Sequence, residues 1–277
     1  MLRSIRWLVA LLVCWPVLCL AASPGAPAFR IGVAPHSSAR VILEMYQPLR
    51  MHLELALQRP VEIVTATDFT EFARRGMKQD YDIAITTGHQ ARLLQSDANY
   101  LPLLTYLADF RAVALVTANG RYDEPKDLSG TTVLGLSASS LVTLWGQHWL
   151  QRNSVANTTM QYVSASDSVG QLLLRGEGSV GFMSLANYQN LQLSVRERLR
   201  VIAESLSMAG RVYMLNARHH KQQGEILAAL KTFSETDQAK QYFARYQLGG
   251  YRALEPRELI AMEPYANEVR MVLRQPK

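Results

Sequence analysis

Small hydroxylic residues gather in this chain wherever an apolar run gives way to a helical spacing, and that is the first chemistry the sequence offers. Residues 131–144 (TTVLGLSASSLVTL) carry no charge, yet place Ser137, Ser139 and Ser140 between an apolar run and a second apolar pattern. Pro35, His36 and Ser37 follow the run FRIGVA, Asp68 follows VEIVTA, and Thr87 and His89 follow YDIAIT. Ser166 follows TMQYVS, and Ser184 follows GSVGFM. Ser, Thr and Asp cap helices because a side-chain oxygen accepts a bond from an otherwise free backbone N–H. The same helix start carries a partial positive charge, so flanking hydroxyls and amides together hold a small anion without a lysine or arginine. Capping explains any one of these residues. Their recurrence at nearly every strand exit points to a ligand.

Two other chemistries use the same residues. Residues 135–139 (GLSAS) approach the Gly-x-Ser-x-Gly elbow of serine hydrolases, with His148 or His219 as the base, but Ser139 stands where the tight turn needs its second glycine. His36, His89 and Asp68 fall in neighbouring loops and make a conceivable His/His/Asp metal set. The simpler expectation is that each histidine bonds backbone or a polar ligand. We therefore expect no metal, no cofactor and no catalysis.

The elements that must position these loops follow from periodicity. Strands are predicted at FRIGVA, VEIVTA, YDIAIT, YLPLLTYL, RAVALVT, TTVLGL, TMQYVS, GSVGFM, LRVIAES and GRVYMLN. Helices are predicted between most of them, beginning with Ile42, Tyr46, Leu49 and Leu53 on one face and interrupted by Pro48. Strand–helix alternation implies mainly parallel sheet with helices on both faces. Ligands of such sheets sit beyond the carboxyl ends of the strands, where the hydroxylic residues lie. The polar stretch 119–130 divides the chain, so two α/β lobes are expected: 29–116 with a return over 205–277, and 117–204. Tyr106 and Phe110 fall near the expected first crossing, where a ring can line a cleft.

The chain has 277 residues, is 48% hydrophobic and has a formal net charge of +6. That is enough for one large α/β domain or two modest lobes. Residues 1–22 read as an export signal: Arg3 and Arg6, an apolar run, then small residues, with cleavage expected near residues 21–26. Both cysteines, Cys14 and Cys19, fall inside it, so the mature chain offers no disulfide or thiol. The basic clusters at 196–200 and 218–221 read as solvated helix faces, and no nucleic-acid partner is expected.

Five segments, RIGVAPHSSARVILEMYQPL, VEIVTATDFTEF, YDIAITTGHQARLL, LSGTTVLGLSASS and SASDSVGQLLLRGEGSVGFM, resemble in order and spacing the phosphonate-type periplasmic solute-binding proteins of ABC transporters. The resemblance runs from about Arg30 to Tyr188. It implies a two-lobed periplasmic-binding-protein fold of type II, joined by two crossover hinge strands that close on a ligand, and no catalysis. It implies a Ser/Thr-rich turn at Ser139 and Ser140 that holds oxyanion oxygens. The family commonly continues this turn with Thr, Ser and Gly, where this chain has Leu141, Val142 and Thr143. The partners implied are a small anionic or polar ligand and a membrane permease, or alternatively a sensor receptor that reads the ligand state. The protein is expected in the periplasm as a monomer.

Overall fold

The structure is a computed structural model and describes residues 27–122 and 124–275. The expected export segment and both cysteines lie outside the described residues. Among the described residues, no helix is long and apolar enough to cross a membrane.

Alternating apolar residues start the chain as β1 (Phe29–Val33), followed by α1 (Ala39–Leu57), β2 (Val61–Val64), α2 (Phe69–Met77), β3 (Ile83–Thr87), α3 (Gly88–Asp97) and β4 (Tyr100–Tyr106). Residues 107–111 then cross to β5 (Ala112–Thr117), β6 (Thr132–Gly135), α4 (Leu141–Arg152), β7 (Thr159–Tyr162), α5 (Ser166–Leu174), β8 (Val180–Ser184), α6 (Leu185–Gln189), α7 (Leu193–Arg196) and β9 (Leu199–Glu204). Residues 205–210 cross back to β10 (Arg211–Asn216), α8 (Gln223–Glu235), α9 (Asp237–Arg245), β11 (Tyr251–Arg252), α10 (Pro256–Ile260) and α11 (Glu263–Arg274). The six-stranded sheet has the order β11-β4-β10-β3-β1-β2, and the five-stranded sheet β7-β6-β8-β5-β9. The two crossings pair once, Phe110 with Met208.

Both sheets are mixed rather than mainly parallel. β1 pairs parallel with β2 and β3, and β6 with β7 and β8. β10 runs antiparallel to β3 and β4, and β5 antiparallel to β8 and β9. Each crossing delivers the strand that runs against its new neighbours. The change of sheet also falls one strand earlier than expected, because Ala112–Thr117 pairs entirely within the second sheet. The polar stretch 119–130 joins two strands of one sheet and holds a short 3-10 turn, Pro125–Leu128, whose Leu128 is buried. The true crossing bends at Leu107 and Ala108 and is partly apolar, with no Gly or Pro to announce it.

α1 is a single helix despite Pro48. An interior proline costs about 3 kcal/mol. Burial of Ile42, Tyr46, Leu49 and Leu53 contributes about 1.5–3 kcal/mol each and outweighs it. These side chains join Ile31, Val33, Ile83, Ile85, Leu215 and Phe233 in a core confined to one face of the first sheet. The other face shares a core with the second sheet, in which Phe69 and Phe72 belong with Leu136, Leu141 and Trp145. A third cluster, Ala73, Leu93, Leu144, Ala266 and Val269, packs α11 against α2, α3 and α4.

α4 sits on β8 through Gly146, where a Cβ would come 2.2 Å from the Phe182 ring. Gly146→Ala is expected to lower stability by about 1–3 kcal/mol despite alanine's better helix propensity, as overpacking does. The urea unfolding midpoint checks it.

Candidate ligand-binding site

The carboxyl ends of β1, β3, β6 and β8 face one another across a cleft between the sheets. A cavity of about 220 Å³ fills its centre. A second, of about 250 Å³, adjoins it, and His36 and Ser166 line both. Of the residues singled out from sequence, His36, Thr87, Tyr106, Phe110, Ser140, Ser166 and Ser184 line the central cavity. Pro35, Asp68 and Ser137 line the second. Ser37, His89 and Ser139 line neither.

The serine turn is bonded largely within the protein. Ser140 caps α4, its Oγ accepting from the Thr143 amide at 3.4 Å and donating to Thr143 Oγ1 at 2.7 Å. Thr143 Oγ1 in turn accepts from the Leu136 amide at 2.9 Å. Ser139 is fully buried, with its Oγ 2.8 Å from Thr70 Oγ1 across the cleft. The amides of Leu141 and Val142 still have no carbonyl within their own helix to bind, whatever their side chains. α5 starts at Ala165 with no side-chain cap, while Ser166 Oγ accepts from Asn187 Nδ2 at 2.8 Å.

His89 is also consumed by the fold. Its Nε2–H donates to the Ser139 carbonyl at 2.9 Å, so Nδ1 accepts from Thr87 Oγ1 at 3.1 Å. Burial pushes its pKa from the usual 6.5 down to about 4, only partly offset by the Ser139 carbonyl. With both nitrogens engaged and Asp68 capping α2 through the Glu71 amide, the conceivable His/His/Asp set is not assembled. Among the described residues no group of three metal-ligating side chains comes together. His148 pairs with Glu268 on α11, and His219 with Asp82 at the opposite end of the first sheet.

His36 is arranged differently. The Ala34 carbonyl can only accept, so Nδ1, at 2.9 Å from it, carries the proton. Burial, and then the charge of Arg211, hold its pKa well below the usual value. Nε2 is therefore a bare lone pair, and it is buried without a partner. A buried acceptor left unmade costs about 1–3 kcal/mol.

Arg211 is the feature the sequence reading missed. It opens β10, lines the central cavity, and forms no ion pair with a carboxylate among the described residues. Nη1 lies 3.8 Å from Met45 Sδ, and the guanidinium stands 6.0 Å from the centre of the Tyr106 ring. Burial works against its charge, but the surrounding hydroxyls of Tyr46, Tyr106 and Tyr242 outweigh that and raise its pKa. Below it the hydroxyls form a chain: Tyr106 to Tyr213 at 2.7 Å, Tyr106 to Tyr242 at 2.5 Å and Tyr213 to Tyr251 at 2.9 Å. The signal was a lone arginine starting an apolar strand. The rule that ligands lie after parallel strands points away from it, because β10 runs antiparallel and presents its first residue to the cleft.

This is the architecture of type II periplasmic binding proteins. The chain superposes on XAC2383 from Xanthomonas citri bound to chloride ion at a TM-score of 0.75, with 18% identity over 88% of this chain and 99% of that one. PhnD1 from Prochlorococcus marinus in complex with methylphosphonate matches at 0.74, with 14% identity over 88% and 98%. The periplasmic aliphatic sulphonate binding protein SsuA from Escherichia coli matches at 0.61, with 16% identity over 92% and 95%. No curated protein matches the sequence. The model of the ABC-transporter phosphonate periplasmic substrate-binding proteins matches residues 31–259, and the chain belongs to that family. Membership implies a small ligand, a membrane permease as partner and a periplasmic setting.

His89 gives the fold a pH signature. Above pH 6.5 it is neutral folded or unfolded. As pH falls toward about 4, only the unfolded chain takes up the proton, so stability is lost across that window. The loss amounts to about 3 kcal/mol at its full extent. His89→Gln should be less stable at about pH 7 but lose less between there and about pH 4.5. Urea midpoints at the two pH values read the difference.

Proposed function

We propose that this protein is exported to the periplasm, captures a small oxyanion of the phosphonate type between its two sheets without altering it, and presents the closed form to a membrane permease. The observation that carries the reading is the convergence on one cavity of two kinds of anion donor. The amides at the starts of α4 and α5 come from the second sheet, and the Arg211 guanidinium comes from the first. The cavity volume of about 220 Å³ lies below the 300–1,000 Å³ of pockets for drug-sized ligands, which suits a small occupant. Phe69, Leu136, Leu141 and Val142 add an apolar wall for a carbon substituent. Thr87 and Ser166 contribute polar lining, whereas Ser139 and Ser140 serve mainly to fix the turn.

Calorimetric titration with methylphosphonate, phosphate and sulfate tests the class. Binding of at least one is expected, and a folded protein that gives no heat with any of them removes the reading. Arg211→Met should weaken binding by about 2–4 kcal/mol. Ser140→Ala should instead lower stability by about 0.5–2 kcal/mol through its lost cap, and change affinity less than Arg211→Met does.

A further inference from the structure

The C-terminal helix joins the two halves away from the ligand space, and its two attachments differ in strength. No residue of α11 lines either cavity. Toward the first sheet's half it is fixed by charge and by burial. Arg270 donates to both carboxylate oxygens of Asp97, at 2.7 and 2.9 Å, and to Glu263 at 2.6 Å. Glu263 also accepts from Arg92 on α3. Ala266 and Val269, both fully buried, pack with Ala73 of α2 and Leu93 of α3. A bidentate arginine pair within a network holds its geometry where an isolated surface pair does not.

Toward the second sheet's half α11 meets α4. The Glu268 carboxylate accepts from His148 Nε2, the Tyr265 ring stacks on the His148 ring at 4.9 Å, and Leu144 closes the same apolar cluster. The His148 and Glu268 side chains are 29% and 25% exposed, so water can replace their bond when they part. Ser140, Leu144 and His148 follow one another at four-residue spacing, which puts them on one stripe of α4. At 1.5 Å per residue, His148 lies about 12 Å along the axis from the capping serine. A hold on His148 therefore also sets where the first amides of α4 stand.

We propose that α11 is a strap, carried by α2 and α3, that grips α4 through His148 and so favours the arrangement in which the serine turn meets Thr70 and His89, before any ligand enters. The α4 contact is the one that opens when the halves separate, and the Arg270 network keeps the helix on the first half. Loss of the strap lowers the fraction of molecules poised to bind, and apparent affinity falls by the same factor. Residues that touch no ligand thus tune its affinity.

Small-angle scattering of the ligand-free protein and calorimetry with methylphosphonate test this together. His148→Ala loses both the bond and the stack. It should bind methylphosphonate about three- to tenfold more weakly, with a larger radius of gyration than wild type when ligand-free and the wild-type radius when saturated. Glu268→Ala should move both readings the same way by less. Arg270→Ala removes bonds made only to α3 and within α11, yet should act in the same direction, because it frees the strap at its other end. An unchanged ligand-free radius in His148→Ala, or an affinity that is unchanged or tighter, overturns the inference. So does Arg270→Ala that matches wild type in both readings. Where one variant does not fold, the other two decide. Should wild type give no heat with methylphosphonate, the ligand-free scattering decides on the strap alone, and the fault lies with the choice of ligand class.

Discussion

Two chain crossings organise everything at the cleft. At 107–111 and 205–210 the backbone leaves one sheet at the cleft and enters the other from the cleft. Each arriving strand must then run antiparallel to the parallel strands already there. Ala112 is set opposite Ser184 and Arg211 opposite Thr87, so strand starts and strand ends share one edge. This puts Arg211, the first residue after the second crossing, against the ligand space. Gly88 shows how tightly the second crossing is held: its amide donates to the Ala209 carbonyl at 3.1 Å, and a Cβ there would come 2.4 Å from that of Ala209.

Keeping a cation at that edge has a structural requirement. A guanidinium without a carboxylate partner needs dipoles to replace water. The tyrosine hydroxyls beneath Arg211 supply them, and their chain is held by edge-on packing, as between Tyr106 and Tyr213 at 5.7 Å and Tyr213 and Tyr251 at 5.3 Å. A carboxylate in the same place would neutralise the guanidinium and compete with an anionic ligand. Dipoles do neither. Tyr106 thus contributes less as a cleft-lining ring than as the node that joins Arg211 to the core of the first sheet.

Much of the fold was legible because hydrophobic period is local. The strands, the helices between them and the hydroxylic turns all follow from residues within a few positions of one another. The change of sheet was not, since 107–111 has no Gly, Pro or Asn to mark it, whereas the conspicuous polar stretch 119–130 joins β5 and β6 of one sheet. The same limit governed the site. The position after each strand could be read, and His36, Thr87, Ser140 and Ser166 reach the cavity from there. Strand direction could not be read, and it decides that Arg211 faces the ligand. Ser139 and His89 had the right residue types in the right loops, but long-range partners fifty residues apart in sequence took their bonding groups first.

Closure draws on the same geometry. The two halves touch through Ser139 with Thr70 and His89 and through His148 with Glu268. A ligand moves an open–closed equilibrium only by what it binds better in the closed form. One gripped by the second sheet alone would bind and shift nothing. On the proposed reading, Arg211 stands on the first sheet and the amides of α4 and α5 on the second, so an anion that satisfies both draws them together. Taking a population from 1:99 to 99:1 needs about 5.5 kcal/mol of differential binding. Hydrogen bonds to a charged group contribute about 1.5–3 kcal/mol each. Two or three bonds made only on closure are therefore enough, and the split of donors between the sheets makes affinity and closure one event.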